Sequence, residues 1–230
     1  MSLDYFRYYT EWNHVANRRR YAAPADPWAI VRVDPADVEY YTTTSLEWGL
    51  GRVRGGDWDR PTNCEPLSDT TTAKGLRQRF EEGRAWEDTD YYQWAKEQFG
   101  EGNDVRGYDD LTRFRDERLT SLDELYESMR RDGYRPNYET TYDDPKEVER
   151  IQDLEPLVVV GRSGEIRWNE GYHRLLIAKI LGIEEIPVYV VRRHERWQRK
   201  RDEISETSAS DLSPELEAYT DHPDVQDVIS

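Results

Sequence analysis

The sequence predicts an α+β domain built on a small mixed sheet flanked by helices. Three observations carry this. Short runs rich in β-branched residues recur at 28–33, 157–160 and 186–191. A clear amphipathic helix lies at 121–132, where Leu122, Leu125, Tyr126 and Met129 share one face at i, i+3, i+4 and i+7. Residues 157–191 then read as strand, turn, strand, helix, strand within 35 positions.

Taken in order, the first twenty or so residues are aromatic and basic, with Tyr5, Phe6, Tyr8, Tyr9 and Trp12 ahead of Arg18, Arg19 and Arg20. They predict a short helix packed on the domain, in an arm spanning 1–26. The Arg run reads as a solvated helix end or as a nucleic-acid contact. Residues 28–33 form a strand that Pro35 stops. The Gly- and Arg-rich stretch 49–61 is a loop. Helices follow near 72–82 and 89–98, each ended by a glycine, Gly83 and Gly100. Ser121 and Glu124 have capping-box spacing at the start of the 121–132 helix, and Gly133 ends it. Residues 137–153 read as a polar surface connection. In the last ordered stretch LVVV is a strand, Gly161–Gly164 a turn and EIRW a second strand. Tyr172 to Leu181 is a helix and IPVYVV a third strand. The main domain is expected over 27–200. The Ser-, Asp- and Glu-rich segment 201–230 is expected to be a mobile acidic tail.

Composition narrows the function. The chain has 230 residues and a formal charge of −16, with five lysines against 27 arginines. Such a surface fits a protein that stays soluble in concentrated salt, where repulsion is screened, and so a halophilic source. An ordinary acidic protein is the alternative. The acidity excludes broad non-specific nucleic-acid binding and leaves room for a local basic groove. Cys64 is the only cysteine, which excludes an intramolecular disulfide and a thiolate metal cluster. No apolar run resembles a signal peptide or a membrane span, so a cytoplasmic protein with no membrane partner is expected. The four histidines lack zinc-ligand spacing, and neither a Walker lysine motif nor a dinucleotide glycine fingerprint is present.

The sharpest local signal is Asn169-Glu170-Gly171-Tyr172-His173-Arg174, between a strand and an amphipathic helix. Gly171 lets backbone approach a ligand. The first helix amides are unpaired and the helix dipole favours an anion there, with His173 and Arg174 as further donors. The competing reading is that Gly171 eases the turn and Arg174 pairs with a nearby acid. A second constellation is Gly55-Gly56-Asp57-Trp58-Asp59-Arg60. Asp57 and Asp59 are placed to hold Mg²⁺ beside a phosphate, or to supply a general base, while Trp58 covers a base or sugar. The competing reading is a surface turn with an anchoring tryptophan. Arg192, Arg193, His194 and Trp197 follow the last strand and are expected to close the site from the other side. His222 is assigned no role.

The run GEIRWNEGYHRLLIAKILGIEEIPVYVVRRHERW resembles the ParB/sulfiredoxin superfamily. Its pattern of acidic residue, Gly, any residue, His-Arg, an Ala-containing helix, Gly and an Ile-Pro-Val strand falls here on Glu170, Gly171, His173, Arg174, Ala178, Gly182, Ile186, Pro187 and Val188. TSLDELYESMRRDGYRPN and IVRVDPADV are similar to the family's earlier helix and first strand. The close match covers about 45 residues, and a looser one extends over most of 28–197. The resemblance implies a sulfiredoxin-like fold with ATP or CTP bound at the Gly-x-His-Arg turn, Mg²⁺ accompanying it and Glu170 beside it. Across the family the nucleotide cradle is shared and the reaction is not. Sulfiredoxins carry their nucleophilic Cys where this chain has Tyr172, which argues against sulfinic-acid repair. Too little chain follows Trp197 for the DNA reader of partition proteins. Relatives usually have Asp where this chain has Glu170. Three functions remain from this reading. One is an enzyme of phosphoryl transfer or nucleotide hydrolysis using Asp57 or Asp59. Another is a nucleotide-gated binding module for a protein or nucleic-acid partner. The third, ranked last, is a ParB-like nuclease.

Overall fold

The computed structural model describes residues 2–229. The architecture is α+β: an open, mixed seven-stranded sheet flanked by helices. The strands are β1 (Val31–Val33), β2 (Tyr40–Tyr41), β3 (Arg52–Arg54), β4 (Glu65–Pro66), β5 (Leu157–Val160), β6 (Ile166–Glu170) and β7 (Ile186–His194). Their order is β1-β7-β5-β6-β2-β4, and β3 also pairs with β7. Thus β7 shares one edge between antiparallel β1 at residues 186–188 and parallel β3 at residues 192–194. The five-residue β6 runs antiparallel to β5, so their hairpin turn at 161–164 sits at one end of the sheet and Gly171 at the other.

Alternation along the central strands makes two cores. Val158, Val160, Ile186, Val188 and Val190 face one side, together with the helices α2 (Thr71–Phe80), α3 (Asp90–Gly100), α4 (Thr120–Asp132) and α5 (Tyr172–Ile180). Leu157, Val159, Tyr189 and Val191 face the other, under helix α1 (Leu3–Arg20). A register shift interrupts this pattern: Val158 pairs with Val190 but Val159 pairs with Arg192. Val191 is the extra residue of a bulge, which reverses the facing of the rest of β7. Arg192 turns to the α1 side, while Arg193 turns to the opposite side, where Asp224 receives it.

Several expectations change. The amino-terminal helix runs 18 residues, docked through Phe6, Thr10 and Asn13. Ser121 is not a helix cap. A short turn at Leu111–Arg113 runs through a π-helical segment, Phe114–Leu119, straight into α4, and the Ser121 hydroxyl donates back to the Arg118 carbonyl. Upstream residues already satisfy the amides that a capping box serves. The segment 201–230 is not a free tail. Helix α6 (Glu195–Glu206) occupies its start, and residues 214–228 fold back over the sheet's hairpin end. Asp224 is buried, accepting from Arg193 Nε at 2.9 Å and from Trp197 Nε1 at 2.8 Å. His222 Nε2 donates to the Gly164 carbonyl at 2.7 Å. Few apolar residues suffice here because a buried ion pair, together with Val225, supplies the anchor. No helix among the described residues is long and apolar enough to cross a membrane.

Candidate functional site

The two constellations lie at opposite ends of the sheet. The Asp57–Arg60 loop meets the hairpin turn: Asp59 is buried and accepts from the Arg162 amide at 2.7 Å and Arg162 Nε at 2.9 Å. Asp57 accepts from Arg162 Nη2 at 2.9 Å and pairs with Arg60 at 2.7 Å. Burial alone would raise the Asp59 carboxyl, but the Arg162 hydrogen bonds outweigh it and hold the pKa down. Trp58 lies against His194, whose Nε2 donates to the Gly56 carbonyl at 3.0 Å. Gly171 sits beyond the far end of β6, a separation of about 13 Å along that strand alone. Asp57 and Asp59 therefore do not flank a phosphate at Gly171. Both Asp59 oxygens and Asp57 Oδ1 are bonded to arginines, so the pair is poorly suited to Mg²⁺; among the described residues no group of three or more His, Cys, Asp and Glu is placed to hold a metal. Trp58 and Arg60 lie with them, away from the Gly171 turn. Arg193 and Trp197 belong to the Asp224 anchor at this end and do not close the other.

At the Gly171 end, the helix start is built as the sequence implies. Gly171 has φ +82° and no side chain caps α5, so its first amides are open. A Cβ at Gly171 would stand 2.8 Å from Pro156 Cβ, so glycine is required by the neighbouring chain as well as by the backbone angle. Arg174 turns away from the helix end. Its guanidinium donates to Asn137 Oδ1 at 2.7 Å and to the Arg135 carbonyl, lies 4.4 Å from the Tyr134 ring centroid and reaches Glu155 at 3.6 Å. It is a tie to the Arg135–Asn137 segment, as the competing reading has it. His173 is buried beneath the helix. Burial, with Arg118 and Arg106 nearby, pushes its pKa well below the ordinary histidine value. Its Nδ1 accepts from Arg118 Nη2 at 2.8 Å, which leaves the proton on Nε2, a buried donor with no partner.

The turn at Glu170–Gly171 separates two cavities. One, of about 420 Å³, is lined by Glu149, Arg150, Glu155, Gly171 and Arg174. Both of its arginines are already paired, which makes it a poor anion site. The other, of about 300 Å³, lies between the amino ends of α2 and α5 and is lined by Thr70–Thr72, Tyr172, Asn169, Glu65, Trp94 and Arg106. Thr70 caps α2 and also accepts the Tyr172 hydroxyl, which locks the two helix starts together. Arg106 is the one non-glycine residue with positive φ among the described residues, at 54°. Such a conformation costs energy and persists where the surroundings impose it. Neither Arg106 nor Arg118 pairs with a carboxylate among the described residues. Arg118 is supplied by the π-helical segment, a distortion common at functional sites. Asn169 is buried on this wall; its amide donates to the Thr42 carbonyl at 2.7 Å while Oδ1 has no partner. Burial raises the Glu170 carboxyl above its ordinary range, against a lowering by Arg106. Sequence reading missed Arg106, Arg118, Trp94 and the threonines. Only the Thr-Thr-Thr run at the α2 start and the Gly102 and Gly107 that flank Arg106 mark them.

Comparison with protein-family models, with curated proteins and with solved structures finds no match to this chain.

Proposed function

We propose that this chain binds a nucleoside phosphate in the cleft between the amino ends of α2 and α5. The observation that carries this is the meeting of two helix amino ends, the carboxylate-free Arg106 and a buried unpaired acceptor at one 300 Å³ cavity. The helix amides and Arg106 take phosphate oxygens. Asn169 Oδ1 accepts from a sugar hydroxyl or a base amine, and Trp94 offers a ring to the base. In a chain of net charge −16 such a pocket needs a specific reason to attract an anion, and the helix ends supply one. The resemblance to the ParB/sulfiredoxin superfamily points to the same turn, with ATP or CTP as the ligand and Mg²⁺ as its counterion. Calorimetric titration with ATP, CTP and GTP, with and without Mg²⁺, tests this. Arg106→Ala should weaken binding about ten- to a hundredfold, the worth of one charged hydrogen bond, roughly 1.5–3 kcal/mol. If the wild-type protein binds none of the three at millimolar concentration, the proposal fails.

One feature favours turnover over gated binding. Glu170 lines the cavity, and its raised pKa suits it to accept a proton from a hydroxyl acceptor. Glu170→Gln should then keep nucleotide affinity and lose hydrolysis or transfer. Equal turnover in the variant would remove Glu170 as the base, and nucleotide binding without turnover by the wild-type chain would assign it to the non-catalytic class.

A further inference from the structure

A second surface, on the α1 side of the sheet and away from the cleft, sets a cluster of arginines between aromatic rings. Tyr8 lies 5.3 Å from Tyr9, and Tyr9 lies 5.0 Å from Trp48. The Arg52 guanidinium sits 4.5 Å above the Trp48 ring. Arg52 pairs in register with Arg192, whose guanidinium sits 5.3 Å from the Trp58 ring. The six residues form one continuous track from mid-α1 across β3 and β7 to the Asp57–Arg60 loop. The bulge at Val191 puts Arg192 on this face.

The track keeps its positive charge in a strongly acidic chain. Glu195 is bonded to Arg20 at 2.8 Å and Arg199 at 3.0 Å, and Asp59 and Asp57 Oδ1 to Arg162. Among the described residues no carboxylate pairs with Arg52, Arg54 or Arg192. Burial, with Arg52 and Arg54 adjacent, lowers Arg192 to about 10. The buried Arg192 Nε has no partner. Three mutually repelling cations held together without counter-charge cost free energy that an external anion would recover. A compact anion would need the charges alone, whereas the rings between and beside them are exposed, Tyr8 at 63% and Trp48 at 39%. A cationic cluster flanked on both sides by flat apolar faces matches a strand that carries both phosphates and unpaired bases.

We propose that this track binds single-stranded nucleic acid, with phosphates on Arg52, Arg54 and Arg192 and bases against Trp48, Tyr8 and Trp58. Stacking is sequence-tolerant, so the preference is for unpaired strands and not for a particular sequence. It is a separate site from the nucleotide cleft and does not depend on it.

The test is fluorescence anisotropy of the full chain with a fluorescein-labelled 12-nucleotide single-stranded DNA of mixed sequence in 0.2 M KCl. Expected are saturable binding, quenching of tryptophan emission, and at least tenfold weaker binding to the same length of duplex. An abasic oligomer of the same length should bind at least tenfold more weakly too. Arg52→Gln combined with Arg192→Gln should lose at least tenfold. The exposed Arg54→Gln, which carries no core role, should lose severalfold with an unchanged circular dichroism spectrum. Absence of binding by the wild-type chain overturns the proposal. So does equal binding of the abasic oligomer, which would leave a purely electrostatic site, and so does wild-type affinity in Arg54→Gln and the double variant.

Discussion

At the scale of single residues, the same arginine chemistry serves two ends. Arg162 and Arg174 are consumed by internal partners, whereas Arg106 and Arg118 are left without carboxylates beside an open helix start. This separates structural from binding positions by experiment. Asp59→Asn removes the charge that holds Arg162 at the hairpin and should lower stability. Urea unfolding should show that loss while nucleotide affinity is unchanged; an affinity loss with unchanged stability would return Asp59 to the site. Histidine titration adds a pH signature. His173 stays neutral in the fold with its pKa depressed by burial, and His222 is lowered by burial as well. Below about pH 6.5 the unfolded chain takes up protons the folded chain refuses, so stability falls as pH drops, by up to about 1.4 kcal/mol per unit for each histidine. Asp59 and Asp224 are held below the usual carboxylate range, so their contribution is present above about pH 4 and lost as pH falls further. His173→Gln should flatten only the upper window, leaving the part due to His222. Superimposable wild-type and variant profiles between pH 5 and 6.5 would refute this.

At the scale of elements, the hairpin end of the sheet is closed by the carboxyl-terminal segment, and the helix end is left open. Gly164, at φ +93°, lets the Trp197 ring lie against the turn, where a Cβ would stand 2.7 Å from the ring. Trp197 and Arg193 then hold Asp224. Asp224→Ala leaves Arg193 buried beside Arg201 without its carboxylate, and should cost about 3–5 kcal/mol in denaturant unfolding. Proteolysis should then cut first within 207–222; an unchanged cleavage pattern would mean the segment is held by other contacts. The strand–turn–strand–helix–strand order over 157–191 was legible in the sequence because its periodicities are local. So were α2, α3 and the apolar face of α4. The packing of 214–228 was not, because its one strong anchor is a carboxylate whose partner lies 31 positions away. The Asp57/Asp59 pairing misled for a related reason. Two carboxylates on a glycine loop look free in sequence, and their arginine lies 103 positions further on. The Gly171 turn was found by its pattern, but the residues that complete the cleft come from α2 and from the Arg106 turn, which share no local motif with it.

At the scale of the whole molecule, a charge of −16 confined mostly to the surface makes stability depend on screening. The melting temperature should rise between dilute buffer and molar KCl; a salt-independent value would contradict a salt-adapted surface. In so acidic a chain, the cleft at Arg106 and the aromatic track at Arg52, Arg54 and Arg192 carry arginines that pair with no carboxylate among the described residues. The central claim is that the amino ends of α2 and α5 act together on one phosphate-bearing ligand. Amide-resolved NMR of the ¹⁵N-labelled chain during a titration with ATP or CTP tests it most directly. The largest shifts should fall on the amides of Thr71–Ala73, Tyr172 and His173 and on the Arg106 side chain, saturating with a single affinity. Shifts confined to the Asp57–Arg60 loop, or their absence at both helix starts, would contradict it.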